Sequence, residues 1–329
     1  MDGFLALFGN EIWSTSRGNS SQVTEFLLIC FPDVRGWYWS FILMWCLVMT
    51  LVCNTVLLIV ICVEPRLHHP MYYFLAILTF IDILQCTVAT PKILSILISD
   101  MKTITATACF SQMFFIHLWS SMESSTFLVM AYDRYVAICY PLHYVSVVTD
   151  KLVLKAFMFI LGRNVALILP LPFMSANLNY CSSRQILHCF CENMSVEKLA
   201  CGKNTPGTIY SLVIFIVVGG SDLLFIGLSY AAILRSVVRA RSYKVAFKAF
   251  RICSSHLILI CFFYATIGTA VASSQTLRGI PRHMYVLLAL LQQLVTPLFN
   301  PIIYGVMTRE IRDATRRILT KAKVHPGRR

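Results

Sequence analysis

Seven long apolar stretches constrain this chain more than any other feature of its sequence. A helix must present about 20 apolar residues to cross the hydrocarbon core of a bilayer. Four stretches reach that length without an acid, Lys or Arg: Gly36–Val63, Thr103–Met122, Ile252–Leu277 and His283–Thr308. Three more qualify if one interior charge each (Asp82, Arg163 or Asp222) is tolerated: Met71–Pro91, Ala156–Ser175 and Pro206–Leu234. The sequence therefore predicts an all-α membrane protein with a seven-transmembrane helix bundle.

The composition agrees with this prediction. Of the 329 residues, 57% are apolar and 13% charged, and the mean hydropathy is +0.71. This balance excludes a soluble globular protein. We expect an extracellular N-terminal segment over residues 1–36, the bundle over 37–306 and a cytoplasmic tail over 307–329. The first residues carry Asp2 and lack a basic start, so we expect the first span to act as an uncleaved signal anchor.

The basic residues lie mostly on one side of the predicted membrane. With the N-terminus outside, the inner segments hold 18 of the 28 Lys and Arg residues but only 5 of the 15 acids. The segment Arg235–Arg251 alone has six cations and no acid. Inner loops of membrane proteins are enriched in Lys and Arg. We therefore predict a plasma-membrane protein with a cytoplasmic C-terminus, and the net charge of +13 requires no nucleic-acid partner.

Cysteines give a second, independent indication of sidedness. Five of the 13 gather on the predicted outer side: Cys109, Cys181, Cys189, Cys191 and Cys201. Disulfides persist outside the cell and in the oxidising lumen, so this clustering agrees with the charge asymmetry. The number is odd, and the sequence alone does not fix the pairing.

Two Asn-X-Ser sequons also lie on the predicted outer side. The first is in the N-terminal segment, and we expect its Asn19 to carry a glycan. The second begins at Asn193, close to Cys189 and Cys191, where we expect crowding to hinder glycosylation.

Several motifs with charged and polar residues lie at the ends of the predicted spans. Met130–Tyr144 places Asp133, Arg134 and Tyr135 at the end of an apolar span, where charges are costly and persist only if a function or a pairing holds them. Four other motifs accompany it: Leu67–Leu75, Ser229–Leu234, Lys248–Leu257 and Asn300–Tyr304. Together these residues resemble odorant receptors, a branch of the rhodopsin-like G-protein-coupled receptors. The features that are similar to the class I branch are Leu169–Phe173, Arg163, Asp222 and Pro301–Val306.

The resemblance implies a function and a mechanism. It implies a receptor that binds a small volatile odorant within the bundle and activates a heterotrimeric stimulatory olfactory G protein, raising cAMP. It also implies disulfides from Cys109 to Cys191 and from Cys181 to Cys201, which leaves Cys189 over. The coupling and switch residues that it implies are Asp133, Arg134, Tyr135, Tyr230, Asn300, Pro301 and Tyr304.

The remaining cysteine stands in a run of residues that suits metal ions. His188-Cys189-Phe190-Cys191-Glu192 contains nitrogen, sulfur and oxygen ligands. If Cys191 is oxidised, however, only three of these side chains remain. We favour an unpaired structural thiol at Cys189 over a metal site.

A polar stripe runs along the third predicted span. His117, Ser120, Ser121 and Ser124 recur at i, i+3, i+4 and i+7, which places them on one face of a helix. Polar residues of a membrane span should point toward the protein interior. We favour a ligand pocket lined by His117, Ser120 and Ser121 over a purely hydrogen-bonding role in the core.

The sixth predicted span supplies further pocket candidates. Val271 and Gln275 lie in its outer half, where no cation precedes Arg278. Class I receptors often recognise small acids through a basic group at that place. Its absence favours a small neutral or weakly polar volatile held by apolar walls. Candidate walls in the fifth span are Ile214, Val217 and Val218.

Two acids, Asp82 and Glu123, lie within the spans. Two carboxylates in a medium of low dielectric constant do not both ionise readily, so a bound cation or a shared proton is expected. By the resemblance this is a sodium site with Asn300 and Ser124 nearby, and the alternative is a hydrogen-bonded polar core. We expect no other cofactor. The other two charges within the spans, whose partners the sequence does not decide, are Arg163 and Asp222.

The tail has an amphipathic pattern and predicts a short surface helix. Its apolar stripe consists of Ile311, Ala314, Ile318 and Leu319. Its cations suit the anionic headgroups of membrane lipid; they are Arg312, Arg316, Arg317, Lys321 and Lys323. The tail has no cysteine, so palmitate cannot anchor it.

Other classes of membrane protein fit the sequence less well. A transporter usually has paired half-repeats and a channel needs a charged ring or a filter loop, and neither is visible here. A retinal pigment is excluded because no Lys lies between His283 and Thr308. No nucleophile or metal-ligand motif of known spacing indicates an enzyme. A transporter or channel of the same helix count stays as the alternative.

Overall fold

Eight main helices, α1 to α8, make up most of the described chain. The computed structural model describes residues 23–30, 37–180, 184–201, 205–275 and 282–324, but not the side chains of 37–39, 205, 245, 248, 269–275, 282–285, 319 and 321–324. The uninterrupted helices are α1 Trp37–Val63, α2 Pro70–Ser99, α3 Ala106–Cys139, α4 Asp150–Ile168, α6 Tyr243–Gln275 and α8 Arg309–Val324. Two helices contain a π-helical segment: α5 is Thr205–Ile214, Phe215–Gly220 (π) and Ser221–Ala240, and α7 is Arg282–Leu290, Leu291–Val295 (π) and Thr296–Met307. Short helical pieces are Pro65–Leu67, Tyr144–Val147, Pro170–Ala176 and Asn193–Glu197.

Helices α1 to α7 correspond to the seven predicted spans, and α3 differs from the other six. Within the described residues, six helices are long and apolar enough to cross a membrane, and α3 is not among them. Its 34 residues include many buried polar side chains, because α3 packs against α2, α4, α5 and α6. A helix surrounded by protein does not need apolar side chains on every face. A central span can therefore have a lower mean hydropathy than the spans that face lipid.

Pro301 leaves one carbonyl of α7 without its helical donor, and α1 supplies a replacement. Proline has no N–H, so the carbonyl four residues earlier, at Pro297, loses its partner. The Asn54 side-chain amide donates to this oxygen at 2.9 Å and to the Thr50 carbonyl at 3.0 Å. Neighbouring helices satisfy such freed groups in membrane proteins, and here the contact also fixes α1 against α7.

The apolar core forms three clusters stacked through the bundle. The outer cluster surrounds Cys109 and Met113, the middle one contains Leu118 and Met122, and the inner one contains Phe127. All five residues belong to α3. The helix that carries the polar stripe therefore also contributes residues to all three core clusters.

A small sheet, which the sequence analysis did not predict, covers the outer end of the bundle. Strand β1 (Glu25–Leu28) pairs antiparallel with β2 (Thr103–Thr105) and parallel with β3 (Gln185–Ile186). Side chains alternate across a strand, and Phe26 and Leu28 point inward and are buried. The Phe26 ring meets the ring of Phe110 edge-on, with centroids 6.0 Å apart. Residues 23–30, within the N-terminal segment, are thus part of the fold.

Two disulfides that join described residues fasten this outer layer. Cys109 pairs with Cys191 as predicted, with Cα atoms 5.4 Å apart. Cys189 pairs with Cys30, with Cα atoms 4.2 Å apart, so the prediction of an unpaired thiol at Cys189 is wrong. The count of five outer cysteines was short by one, because Cys30 precedes the first span and belongs with them. Cys201 is disulfide-bonded, and its predicted partner Cys181 lies outside the described residues.

We expect Cys30→Ser and Cys189→Ser to reduce surface delivery equally, and the double variant to be no worse than either. Both variants remove the same bond, and loss of a native disulfide costs about 2–5 kcal/mol in small secreted domains. The measurement is antibody staining of intact cells. Cys46→Ser, which changes a free, half-buried thiol of α1, is the control. Parent-like staining of Cys189→Ser would contradict the pairing.

The second sequon is closed to a glycan in the folded chain. Asn193 is 2% exposed, and its amide donates to Ser211 Oγ at 2.7 Å and to Glu197 Oε1 at 3.2 Å. Its oxygen accepts from Ser175 Oγ at 3.2 Å. A glycan on Asn193 would displace these contacts. This agrees with the expectation that glycosylation is hindered here. Asn19 lies outside the described residues.

The predicted amphipathic tail helix is present as α8. Ile311 and Ala314 are buried, and Ile318 packs against the same inner cluster. The stripe therefore faces α1 and α7 rather than lipid alone. The side chain of Leu319 is outside the described set.

Candidate functional site

The polar stripe of α3 faces the interior of the bundle, as predicted. His117, Ser120 and Ser121 are partly buried, and Ser120 Oγ accepts a hydrogen bond from Gln292 Nε2 of α7 at 3.2 Å. His117 Nε2 is buried and has no hydrogen-bond partner among the described residues. Buried polar atoms in proteins are nearly always hydrogen-bonded. This nitrogen is therefore suited to a ligand that brings a polar group to α3.

The outer loop fixes a carboxylate near this stripe. Glu192 caps the short helix Asn193–Glu197 by accepting from the Met194 and Ser195 amides at 3.1 and 2.8 Å. Burial opposes its ionisation, but His188, His117 and these two amides outweigh that effect and hold the pKa of Glu192 below its usual value. The charged form of Glu192 thus contributes to the electrostatic field at His117.

The walls of the predicted pocket are only partly as expected. Ile214 and Val218 of α5 are buried in the middle core cluster. Val217 is 43% exposed and points away from the bundle, so its assignment as a wall is wrong. The side chains of Val271 and Gln275 lie outside the described set, and their role stays a prediction.

Arg163 of α4 and Asp222 of α5 form an ion pair within the membrane. Arg163 Nη1 lies 2.7 Å from Asp222 Oδ1. Arg163 Nη2 donates to the Val217 carbonyl at 3.2 Å, in the π-helical segment. Ser124 and Ser125 both donate to Asp222 Oδ2 at 3.0 Å. The question left open by the sequence is thus answered: the two charges pair across the bundle.

The same network reaches α6 through Ser124. Ser124 Oγ lies 2.8 Å from Tyr264 Oη, so this serine connects the ion pair to α6. Among the described residues Ser124 forms no hydrogen bond with Asp82 or Glu123, so its place beside the cation site stays a prediction. Adjacent helical positions are about 100° apart, so Glu123 and Ser124 face different neighbours. Sequence reasoning missed the roles of Ser125 and Tyr264, for which no local pattern gives a signal.

Asp82 of α2, Glu123 of α3 and Asn300 of α7 meet in the centre of the bundle. Asn300 Nδ2 lies 3.0 and 3.1 Å from the two Asp82 oxygens and 3.2 Å from Glu123 Oε1. All three residues are buried. Glu123 Oε2 and Asn300 Oδ1 have no hydrogen-bond partner among the described residues. Carboxylate and amide oxygens are the ligands of hard cations, so this donor set fits a cation such as sodium.

At the inner end of α3, Arg134 is held close to its neighbour. Arg134 Nε lies 3.8 Å from Asp133 Oδ2, and Tyr144 Oη donates to Asp133 Oδ1 at 2.7 Å. Both charged residues are largely buried. Tyr135 does not join this group; its ring meets that of Tyr140 edge-on, 5.7 Å away.

Two other predicted switch residues lie near this end, together with a histidine that sequence reasoning missed. Tyr230 Oη of α5 is 2.7 Å from His256 Nδ1 of α6, which ties these two helices together. Tyr304 of α7 is buried in the inner cluster. His256 is itself buried, and its position after two serines in an apolar span was the available signal.

The chain is similar to known receptors over nearly its whole length. The family model described as olfactory receptor matches residues 41–322. Olfactory receptor 56A4 of Homo sapiens is 42% identical over 310 residues, covering 94% of this chain and 99% of the relative. Olfactory receptor 56B34 of Mus musculus is 43% identical over 306 residues, covering 92% and 95%. These relatives are consistent with the class I branch.

The fold has a counterpart among solved structures. The crystal structure of squid rhodopsin matches with a TM-score of 0.73 at 15% identity, covering 95% of this chain and 93% of that chain. This likeness shows that the chain has the seven-helix fold. The chain belongs to the olfactory receptor family, whose members are receptors and not enzymes.

Proposed function

We propose that this odorant receptor lies in the plasma membrane and couples to a stimulatory G protein, so that a small volatile ligand raises cAMP. Its N-terminus is extracellular and its C-terminus cytoplasmic. The disulfides at the β1 end of the bundle and the cations at the α8 end support this orientation. The ligand is neutral or weakly polar and contacts His117, Ser120 and Ser121.

One observation carries the proposal: a single helix, α3, bears the ligand stripe, the central acid and the inner cation. His117 and Ser120 lie in its outer half, Glu123 at mid-depth and Arg134 at its inner end. A ligand acts only through its different affinities for two states. Binding that alters the packing of α3 against α6 and α7 therefore changes the surroundings of all three groups.

Receptor activation separates Arg134 from Asp133. In the state described here Asp133 holds Arg134, and Tyr144 Oη holds Asp133. When α6 moves outward, Tyr230 and His256 separate and the inner face opens. Arg134 then leaves Asp133 and contacts the C-terminal helix of the G protein.

The loop after α3 offers a second contact for the G protein. Leu142 is 94% exposed and Val145 is 83% exposed, beside the inner end of α3. Large exposed apolar side chains outside the membrane mark interaction surfaces. The segment Arg235–Arg251 adds six cations on the same side of the membrane.

Asp82, Glu123 and Asn300 would hold a sodium ion in the closed state. The ion would supply a positive charge that lets both carboxylates stay ionised. The Asn300 amide lies between the two acids, so a shift of α7 changes the distance from Asn300 to each of them.

A cAMP screen tests the function. Cells expressing the full chain with the olfactory stimulatory G protein are exposed to volatile alcohols, ketones, lactones and acids. We expect a concentration-dependent rise in cAMP that vanishes in cells lacking the stimulatory G protein. A ligand-evoked current without cAMP, in cells with confirmed surface receptor, would favour a channel and contradict the proposal.

A further inference from the structure

A lipid-facing groove lies between α1, the inner half of α7 and α8. Its volume is about 640 Å³. Its apolar walls include Val52 and Val56 of α1 and Ile302 of α7, which are 51%, 47% and 39% exposed. These side chains project beyond the packed bundle, so the groove is a continuous apolar channel along the membrane-facing surface.

A glycine keeps this groove open. Gly305 of α7 lines it, and a Cβ atom built at this position would meet no other atom within 4 Å. A side chain there would therefore extend into empty space rather than into a neighbouring helix. The space beside Gly305 is thus not filled by protein and is open to an acyl chain.

Two arginines form the rim at the end where α8 leaves the bundle. Arg312 and Arg316 both line the groove, and residues four apart are neighbours on a helix surface. The Arg312 guanidinium donates to the Val306 carbonyl. Among the described residues, neither arginine forms an ion pair with a carboxylate, whereas Arg317 lies 3.7 Å from Glu64. Two cations of α8 that form no ion pair among the described residues therefore line the groove.

The acids of α8 do not cancel this charge. Glu310 is exposed and does not line the groove. Asp313 does not line the groove. The groove accordingly combines an apolar channel at membrane depth with a cationic rim where the headgroups lie.

We propose that the groove binds one anionic glycerophospholipid of the cytoplasmic leaflet. One acyl chain lies along Val52, Val56 and Ile302, and the phosphate lies between Arg312 and Arg316. Anionic lipids are concentrated in the cytoplasmic leaflet and attract cations beside a span. The assignment of the leaflet depends on the proposed orientation, but binding itself requires neither an odorant nor a G protein.

Native mass spectrometry of the purified full chain tests this site, with phosphatidylserine and phosphatidylcholine of identical acyl chains as the probes. We expect one phosphatidylserine to bind at least about tenfold more tightly than phosphatidylcholine, equivalent to ~1.4 kcal/mol. Arg312→Gln with Arg316→Gln should abolish this preference. Arg235→Gln with Arg239→Gln, which removes two exposed cations four residues apart on α5, should retain it.

The acyl channel is tested separately by filling it. Gly305→Leu should weaken the binding of phosphatidylserine without changing any charge. Gly227→Leu is the matched control, because an added Cβ at Gly227 of α5 also meets no atom within 4 Å. If Gly305→Leu does not yield folded protein, Val56→Trp fills the same channel from the opposite wall.

Three outcomes would overturn the proposal. Equal loss in both arginine pairs would mean a general surface attraction rather than a site. Full binding by Gly305→Leu would mean that no acyl chain occupies the groove. Binding that depends on Gly305 but not on Arg312 and Arg316 would identify the occupant as a neutral lipid.

Discussion

Arg134→Ala should abolish the odorant-evoked rise in cAMP while surface delivery stays close to that of the parent. We propose that this guanidinium, 3.8 Å from Asp133, is the fixed cation that meets the G protein. Its removal does not strand the neighbouring carboxylate, because Asp133 keeps the hydrogen bond from Tyr144 Oη at 2.7 Å. The measurement is cAMP accumulation normalised to antibody staining of intact cells.

Arg66→Ala is the matched control for this variant. Arg66 lies on the short turn between α1 and α2, its side chain is 76% exposed, and its removal lowers the net charge equally. This control should signal like the parent. Normal cAMP accumulation by Arg134→Ala at a normal surface level would refute the role given to Arg134.

Asp222→Ala should prevent most of the receptor from reaching the cell surface. It leaves the Arg163 guanidinium without the carboxylate that lies 2.7 Å away in the membrane. Breaking a buried ion pair by removing one partner costs about 3–5 kcal/mol, because the remaining charge is uncompensated. Asp222 also accepts from Ser124 and Ser125, so its loss removes two further hydrogen bonds. Surface staining and the thermal midpoint of the purified receptor measure this effect.

Replacing both charges should restore much of the loss. Well-packed apolar residues in place of a buried pair are often neutral or stabilising. Arg163→Met combined with Asp222→Leu should therefore reach the surface far better than Asp222→Ala. If Asp222→Ala were itself parent-like, or if the double variant were worse than the single one, the ion pair would not stabilise the bundle as described.

The number and order of the helices could be predicted from the sequence because a bilayer imposes a length on every span. α3 is the instructive case: among the described residues it is not one of the six helices that are long and apolar enough to cross a membrane, and the charge-free run Thr103–Met122 was the signal that predicted it. The sheet could not be predicted in the same way. β1 and β2 have four and three residues, too few for alternation to stand out, and β1 pairs with residues far along the chain.

The sequence could predict which face of a helix a site residue lies on, but not which residues it contacts. Periodicity correctly placed His117 and Ser120 toward the interior, yet it could not tell that Ser124 faces Asp222 and Tyr264. The bond from Cys30 to Cys189 spans 159 residues, and no local pattern encodes such a contact. The odd number of outer cysteines was the one available signal that a partner was missing.

We propose that a volatile ligand bound at the polar stripe of α3 causes the release of Arg134 from Asp133. The concentration–response curve of His117→Phe for an active odorant tests this most directly, with His69→Phe, at an exposed position between α1 and α2, as the control. We predict at least a tenfold higher half-maximal concentration for His117→Phe, equivalent to ~1.4 kcal/mol, with unchanged basal cAMP and surface level. An unchanged curve would place the ligand elsewhere, and failure to reach the surface would make His117 a structural residue; either result would contradict the account.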